Sequence, residues 1–303
     1  MNTGPIKDLG RTFDLVADAY DAGRPGYPDE VYRALTEVSG VELDGATTVD
    51  VGAGTGIMTH ALRARGSHVI AVDPGEAMLA RLVSKSDRAT KSDRATKSDR
   101  ATKSDRATKS DRATKSDRAT GSDRAAGSVS TSEGANGTRV SAVLADGNAL
   151  PLADEVADLV MYAQSWHWLD PVASITEARR VLRPRGAIVG CWNLNHAAQA
   201  DWLAAYEARL AEEVPTYWGP AVEQWSVPPI AAAFEVIEER WIPWTRLIGI
   251  EDFLLDLRSH SYMAALSAER ADEVVERQRA ALREEFPEGV LSVPMRVYLA
   301  VGR

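Results

Sequence analysis

The stretch Val49-Asp50-Val51-Gly52-Ala53-Gly54-Thr55-Gly56 constrains this chain more than any other, because a short apolar strand runs there directly into a glycine-rich turn. Ala46 to Val51 carries the β-branched residues of a buried strand, and Thr55 to Arg65 reads as the helix after it. Three glycines at alternate positions let the backbone turn sharply and approach a ligand with no Cβ in the way. The following helix turns its unpaired N–H groups into the same crevice. Open α/β sheets bind ligands at the carboxyl ends of their strands, so the pattern predicts a nucleotide-like cofactor site.

A dinucleotide fingerprint needs Gly-x-Gly-x-x-Gly. Here the third glycine arrives one residue early, at Gly56, and Ile57 stands where that fingerprint would place it. Asp50, two residues before the first glycine, would repel a pyrophosphate but suits a ligand bearing an ammonium group. Asp-x-Gly-x-Gly-x-Gly resembles motif I of the class I S-adenosylmethionine (SAM)-dependent methyltransferases. The resemblance implies a SAM site formed by Asp50, Gly52, Ala53, Gly54 and Gly56, and a doubly wound α/β sheet of about seven strands, the last antiparallel. An NAD-dependent oxidoreductase, disfavoured by Ile57, and a non-catalytic SAM-binding protein that recruits a partner are the alternatives.

Other segments fit the same expectation. Val69 to Val72 is a continuous apolar run, as in a strand covered on both faces, and it ends in Asp73. A carboxylate there can accept hydrogen bonds from ribose hydroxyls, or else cap the next helix. After a third strand, Arg139 to Leu144, the segment Ala145-Asp146-Gly147-Asn148 resembles the part of the family that holds adenine, with Asp146 and Gly147 as the contacts; an Asx-turn is the plainer reading. The fourth strand, Ala157 to Ala163, leads into Gln164-Ser165-Trp166-His167-Trp168, candidate pocket walls, with Gln164 assigned to the cofactor. His167 is the neutral-pH base in view, although its His-Trp pair also fits an architectural role. Upstream, Tyr20-x-x-x-Arg24-Pro25-x-Tyr27-Pro28 resembles the leading segment of one methyltransferase subgroup, which would bring Tyr20 and Arg24 to the SAM carboxylate. Asp29 is expected to cap a helix over 30–39.

Residues 85–120 repeat Lys-Ser-Asp-Arg-Ala-Thr six times and grade into a Gly/Ser/Thr-rich tail ending at Thr138. With no large apolar side chain the repeat cannot offset its own ordering entropy, so residues 85–138 are expected to be a disordered insert. The expected methyltransferase domain is then residues 1–84 and 139–303, with an aromatic-rich cap over about 195–240. The repeat contributes +6 to a net charge of −9, leaving −15 on the rest of the 303 residues. That acidity disfavours nucleic acid and points to a small-molecule methyl acceptor. No stretch reaches the ~18–20 apolar residues of a membrane span, and Met1 to Gly10 lacks the features of a secretory signal. The lone Cys191 excludes an internal disulfide and argues against a Cys-type metal site, so a cytoplasmic enzyme with no metal is expected.

Overall fold

The computed structural model describes residues 23–88, 129–133, 137–217 and 233–303. Its centre is an eight-stranded sheet in the order β3-β4-β2-β1-β5-β6-β8-β7. The strands are β1 (Thr47–Val51), β2 (His68–Asp73), β3 (Val129–Glu133), β4 (Arg139–Leu144), β5 (Ala157–Ala163), β6 (Leu182–Asn195), β7 (Val236–Gly249) and β8 (Val290–Gly302). The five strands β4, β2, β1, β5 and β6 pair in parallel, while β8 runs antiparallel between β6 and β7. The doubly wound, mostly parallel sheet read from the sequence is therefore present. Chain order reverses between β1 and β5, and that switch point opens a ligand crevice at the strand ends.

Eight strands appear rather than seven because β3 lies inside the segment assigned to the insert. Val129–Glu133 pairs antiparallel with β4, register Val129 to Val143 and Glu133 to Arg139. At the other margin, residues 85–88 continue α3, the helix that covers 76–88, so the first copy of the repeat is partly helical. Residues 89–128 lie outside the described residues.

The period-two alternation of strands sorts the core into two faces. Val160 and Tyr162 of β5 join Val49, Val51 and Ile188 against helix α4 (Pro171–Val181). Leu159 and Met161 of the same strand face the other way, onto α1 (Asp29–Ser39) and α2 (Ile57–Ala64). Asp170 caps α4, accepting from the amides of Val172 and Ala173, with Pro171 at the first helical position. Asp29, expected as a cap, is instead the first residue of α1; Pro28 holds the cap position, and the Asp29 carboxylate pairs with Arg65. That spot near the helix N-terminus still suits its charge.

The cap is larger than the sequence suggested. Helix α5 (Asp201–Glu213) packs with α6 (Ile250–Arg258), α7 (Ser261–Ala264) and α8 (Ala268–Glu285) through Leu203, Tyr206, Phe253, Leu254 and Val274. Leu291, Val293 and Met295, at the start of β8, complete this cluster. Most of the described part of the cap therefore comes from residues after 240. Trp218 and Trp225, two of the aromatics that suggested it, lie outside the described residues. No helix among the described residues is long and apolar enough to cross a membrane.

Candidate active site

Three left-handed glycines shape the loop between β1 and α2, with φ of 73° at Gly52, 55° at Gly54 and 87° at Gly56. A Cβ on Gly52 would stand 2.4 Å from the Cβ of Ser165, so a side chain there is blocked by packing as well as by backbone strain. The loop folds back on β2, where the amides of Gly52 and Ala53 both donate to the Val72 carbonyl, at 2.8 and 3.1 Å.

Asp50 is 1% exposed and sits under this loop. Thr59 donates to its Oδ2 at 2.6 Å, whereas Oδ1 is buried with no hydrogen-bond partner among the described residues. Burial, reinforced by the charge of Asp73 and opposed by Thr59, pushes its pKa up to about 6. An unsatisfied buried carboxylate oxygen of this kind is costly unless a donor or a cation arrives. Asp73, at the end of β2, accepts from the amides of Gly54 and Gly75, each at 2.8 Å, and these bonds fix the carboxylate beside the loop.

Gln164, directly after β5, has φ of 60° although it is not a glycine. Its amide donates to the Cys191 carbonyl at 2.8 Å and its Nε2 to the Asn193 carbonyl at 2.8 Å, which hold it there. Non-glycine residues held in this region cost of order 1–3 kcal/mol and cluster at functional sites. Asp146 forms the Asx-turn that was the plainer reading, its Oδ1 accepting from both nitrogens of Asn148 at 2.9 Å. Gly147 packs so closely on the sheet that a Cβ would lie 2.6 Å from Val51 Cγ1.

A cavity of about 350 Å³ opens from this crevice toward the cap. Arg24, Asp50, Gly52, Ala53, Gln164 and His167 form part of its wall. Gly54, Gly56, Asp73, Asp146 and Gly147 do not line it, and Tyr20 lies outside the described residues.

Residues 49–99 and 104–190 match the protein family described as a methyltransferase domain. An uncharacterized methyltransferase of Mycobacterium tuberculosis (strain ATCC 25618 / H37Rv) is 26% identical over 276 residues, covering 91% of this chain and 87% of its own length. These matches liken the chain to methyltransferases. Among solved structures, one from Anaeromyxobacter dehalogenans, assigned as a type II methyltransferase, is 22% identical with a TM-score of 0.57, covering 92% of this chain and 97% of that one. Another, from Anabaena variabilis ATCC 29413, shares the fold at 16% identity and a TM-score of 0.52, covering 92% of this chain and 98% of that one.

The methyltransferase match indicates SAM as the cofactor. The residues present fit it: an open glycine cradle lies beside a buried carboxylate whose Oδ1 calls for a donor. NAD is the poorer fit, since that carboxylate would face a pyrophosphate.

The geometry does not support His167 as a base. Its Nδ1 accepts from the Trp192 indole N–H at 3.3 Å, and indole is a donor only, so the ring proton sits on Nε2. Burial, with the Arg24 charge adding to it, pushes the His167 pKa down to about 3. The ring is a neutral donor. Trp166 is architectural, buried with its Nε1 donating to Ser174 Oγ at 3.1 Å. Trp168 lines the cavity.

Arg24 is drawn to the cap. Its Nε donates to Ser259 Oγ at 2.9 Å and lies 3.5 Å from Asp256 Oδ1. Asp256 is held on its other oxygen by Arg246 at 2.7 Å, and Arg246 also donates to the Gly23 carbonyl. A Cβ on Gly23 would sit 2.6 Å from the Asp256 amide nitrogen, so the segment before α1 is strapped tightly to α6. Glu207, Asp256 and His260, all lining the cavity, were missed by the sequence reading. Asp256 and His260, four residues apart, carried one faint signal, an acid and a base at helical spacing, although His260 lies just beyond α6.

Proposed function

We propose that the protein transfers the SAM methyl group to a small-molecule acceptor, at oxygen or carbon, inside the cavity between the sheet and the cap. The observation that carries this reading is that one cavity joins the wall of the glycine loop, at Asp50, Gly52 and Ala53, to aromatic and polar side chains of the cap. Bound SAM supplies a sulfonium-activated methyl, so the chain needs chiefly to orient the partners and exclude water. Asp50 holds the amino end of the methionine, Asp73 the ribose, and Asp146 with the Gly147 amide the adenine. Gln164 shapes the wall at the methyl end. His167 donates from Nε2, and Arg24 closes the methionine end while bound to the cap. A body carrying −15 outside the repeat favours a small acceptor over nucleic acid, and a free, buried Cys191 suits a reducing, cytoplasmic setting.

The test is transfer of label from methyl-labelled SAM into pools of small phenols, carboxylic acids and enolisable ketones, with RNA and bulk protein as comparison pools. Label in a small-molecule pool supports the proposal. Label confined to RNA or protein overturns the choice of acceptor.

A further inference from the structure

On its cap side the cavity contains a carboxylate that makes no ion pair among the described residues. Glu207 projects from α5 into the space shared with Asp50 and Gln164. Its Oε1 accepts from Asn195 Nδ2 at 3.1 Å, and this is the carboxylate's one hydrogen bond among the described residues. Asn195 ends β6, so a residue of the sheet holds this carboxylate. Asp256, by contrast, is ion-paired with both Arg246 and Arg24, although its Oδ1 accepts no hydrogen bond among the described residues, and the His167 acceptor nitrogen is taken by Trp192.

We propose that Glu207 is the catalytic residue that receives the proton of an aryl hydroxyl acceptor, which narrows the reading above to O-methylation and rests on it. The wall around Glu207 supports an aromatic occupant, since Tyr206, Tyr217, Phe253, Tyr262 and Trp168 line the same cavity. A flat ring can lie between such faces while its hydroxyl points at the carboxylate. In the step, the hydroxyl proton passes to the free oxygen of Glu207 as the acceptor oxygen bonds to the methyl carbon. The sulfur–methyl bond breaks with its electron pair staying on sulfur, and the protonated Glu207 returns its proton to solvent.

The electrostatics agree with the geometry. Burial raises the Glu207 carboxyl above the ordinary carboxylate range, while Asn195 and then Arg296 of β8 pull against it. A carboxylate raised in this way is a better base than a surface glutamate. The other groups that feel its charge are the phenols of Tyr206 and Tyr217, both held neutral by burial.

The experiment uses 4-nitrophenol, whose phenol and phenolate forms differ in colour, added to the full chain saturated with S-adenosylhomocysteine. A carboxylate at the hydroxyl disfavours the phenolate, so the bound probe is expected to titrate at higher pH than in solution. Glu207→Gln keeps an oxygen for Asn195 and is expected to fold normally. With Arg24 and Arg296 still present, it should return the probe to its solution value or below and weaken it about tenfold. Failure of the probe to bind, or identical titration in both proteins, overturns the proposal. Binding of S-adenosylhomocysteine by both proteins, measured in the same samples, distinguishes that outcome from a failure of the cofactor site, which shows only as loss of this binding.

Discussion

Replacing Asp50 by Asn should make the ligand-free protein more stable and the cofactor complex weaker. The pKa of this carboxyl rises from 3.8 to about 6 on folding. Below pH 3.8 it is protonated in both folded and unfolded chains, and its full contribution to stability is present. As pH rises through about 6 the folded protein must ionise a buried oxygen, and stability is lost at about 1.4 kcal/mol per pKa unit, at most about 3 kcal/mol by neutral pH. Asp50→Asn removes that loss and keeps an acceptor for Thr59. It should therefore raise the unfolding midpoint at pH 7.5 by several degrees and leave it unchanged near pH 4. S-adenosylhomocysteine would lose a charge-assisted bond to its ammonium, worth about 1.5–3 kcal/mol, or roughly 10–100-fold in Kd. Methylthioadenosine, which lacks the amino-acid part, should bind both proteins alike. For the native protein, affinity for S-adenosylhomocysteine should fall as pH drops below about 6, because Asp50 is then protonated. Scanning calorimetry and isothermal titration across pH 4–8 provide the data. A less stable variant at pH 7.5, or equal weakening of both nucleosides, would show that Asp50 is neither a destabilised carboxylate nor the partner of the ammonium.

Three further outcomes follow from the geometry. Gly52→Ala combines a left-handed φ with a clash against Ser165 and should cost more than about 2 kcal/mol, read by urea unfolding, and abolish cofactor binding. Asp256→Asn leaves Arg246 and Arg24 poorly compensated in a nearly buried cluster; it should cost about 3 kcal/mol and speed release of S-adenosylhomocysteine in stopped-flow, and an unchanged off-rate would show that the strap does not control exit. The His167 ring should show no titration between pH 5 and 8 by NMR, and a midpoint near 6.5 would contradict its neutral, buried state.

The centre of the sheet was legible because local and tertiary signals agree there. Glycines with left-handed φ, continuous apolar strands and carboxylates at strand ends each have a local cause that survives in the sequence. The margins of the repeat were not, since Val129-Ser-Thr-Ser-Glu carries little apolar character and becomes a strand only by pairing at the edge of β4. Asp29 has the residue type of a cap, yet Pro28 has the extended backbone of that position and the carboxylate is drawn to Arg65. His167 resembles a base because sequence shows a residue type and not the Trp192 N–H that occupies its acceptor nitrogen. Glu207 was invisible, and Asp256 nearly so, for a related reason. Their neighbours, Asn195, Arg246 and Arg24, come from other elements of the chain, so no spacing encodes them.

The most direct test of the central claim is isothermal titration of the purified full chain with S-adenosylhomocysteine, alongside NAD and the Asp73→Ala variant. Saturable binding of S-adenosylhomocysteine near one per chain is expected, sharply weakened in Asp73→Ala, with no heat from NAD. Binding of NAD, or S-adenosylhomocysteine binding that Asp73→Ala leaves untouched, would contradict it.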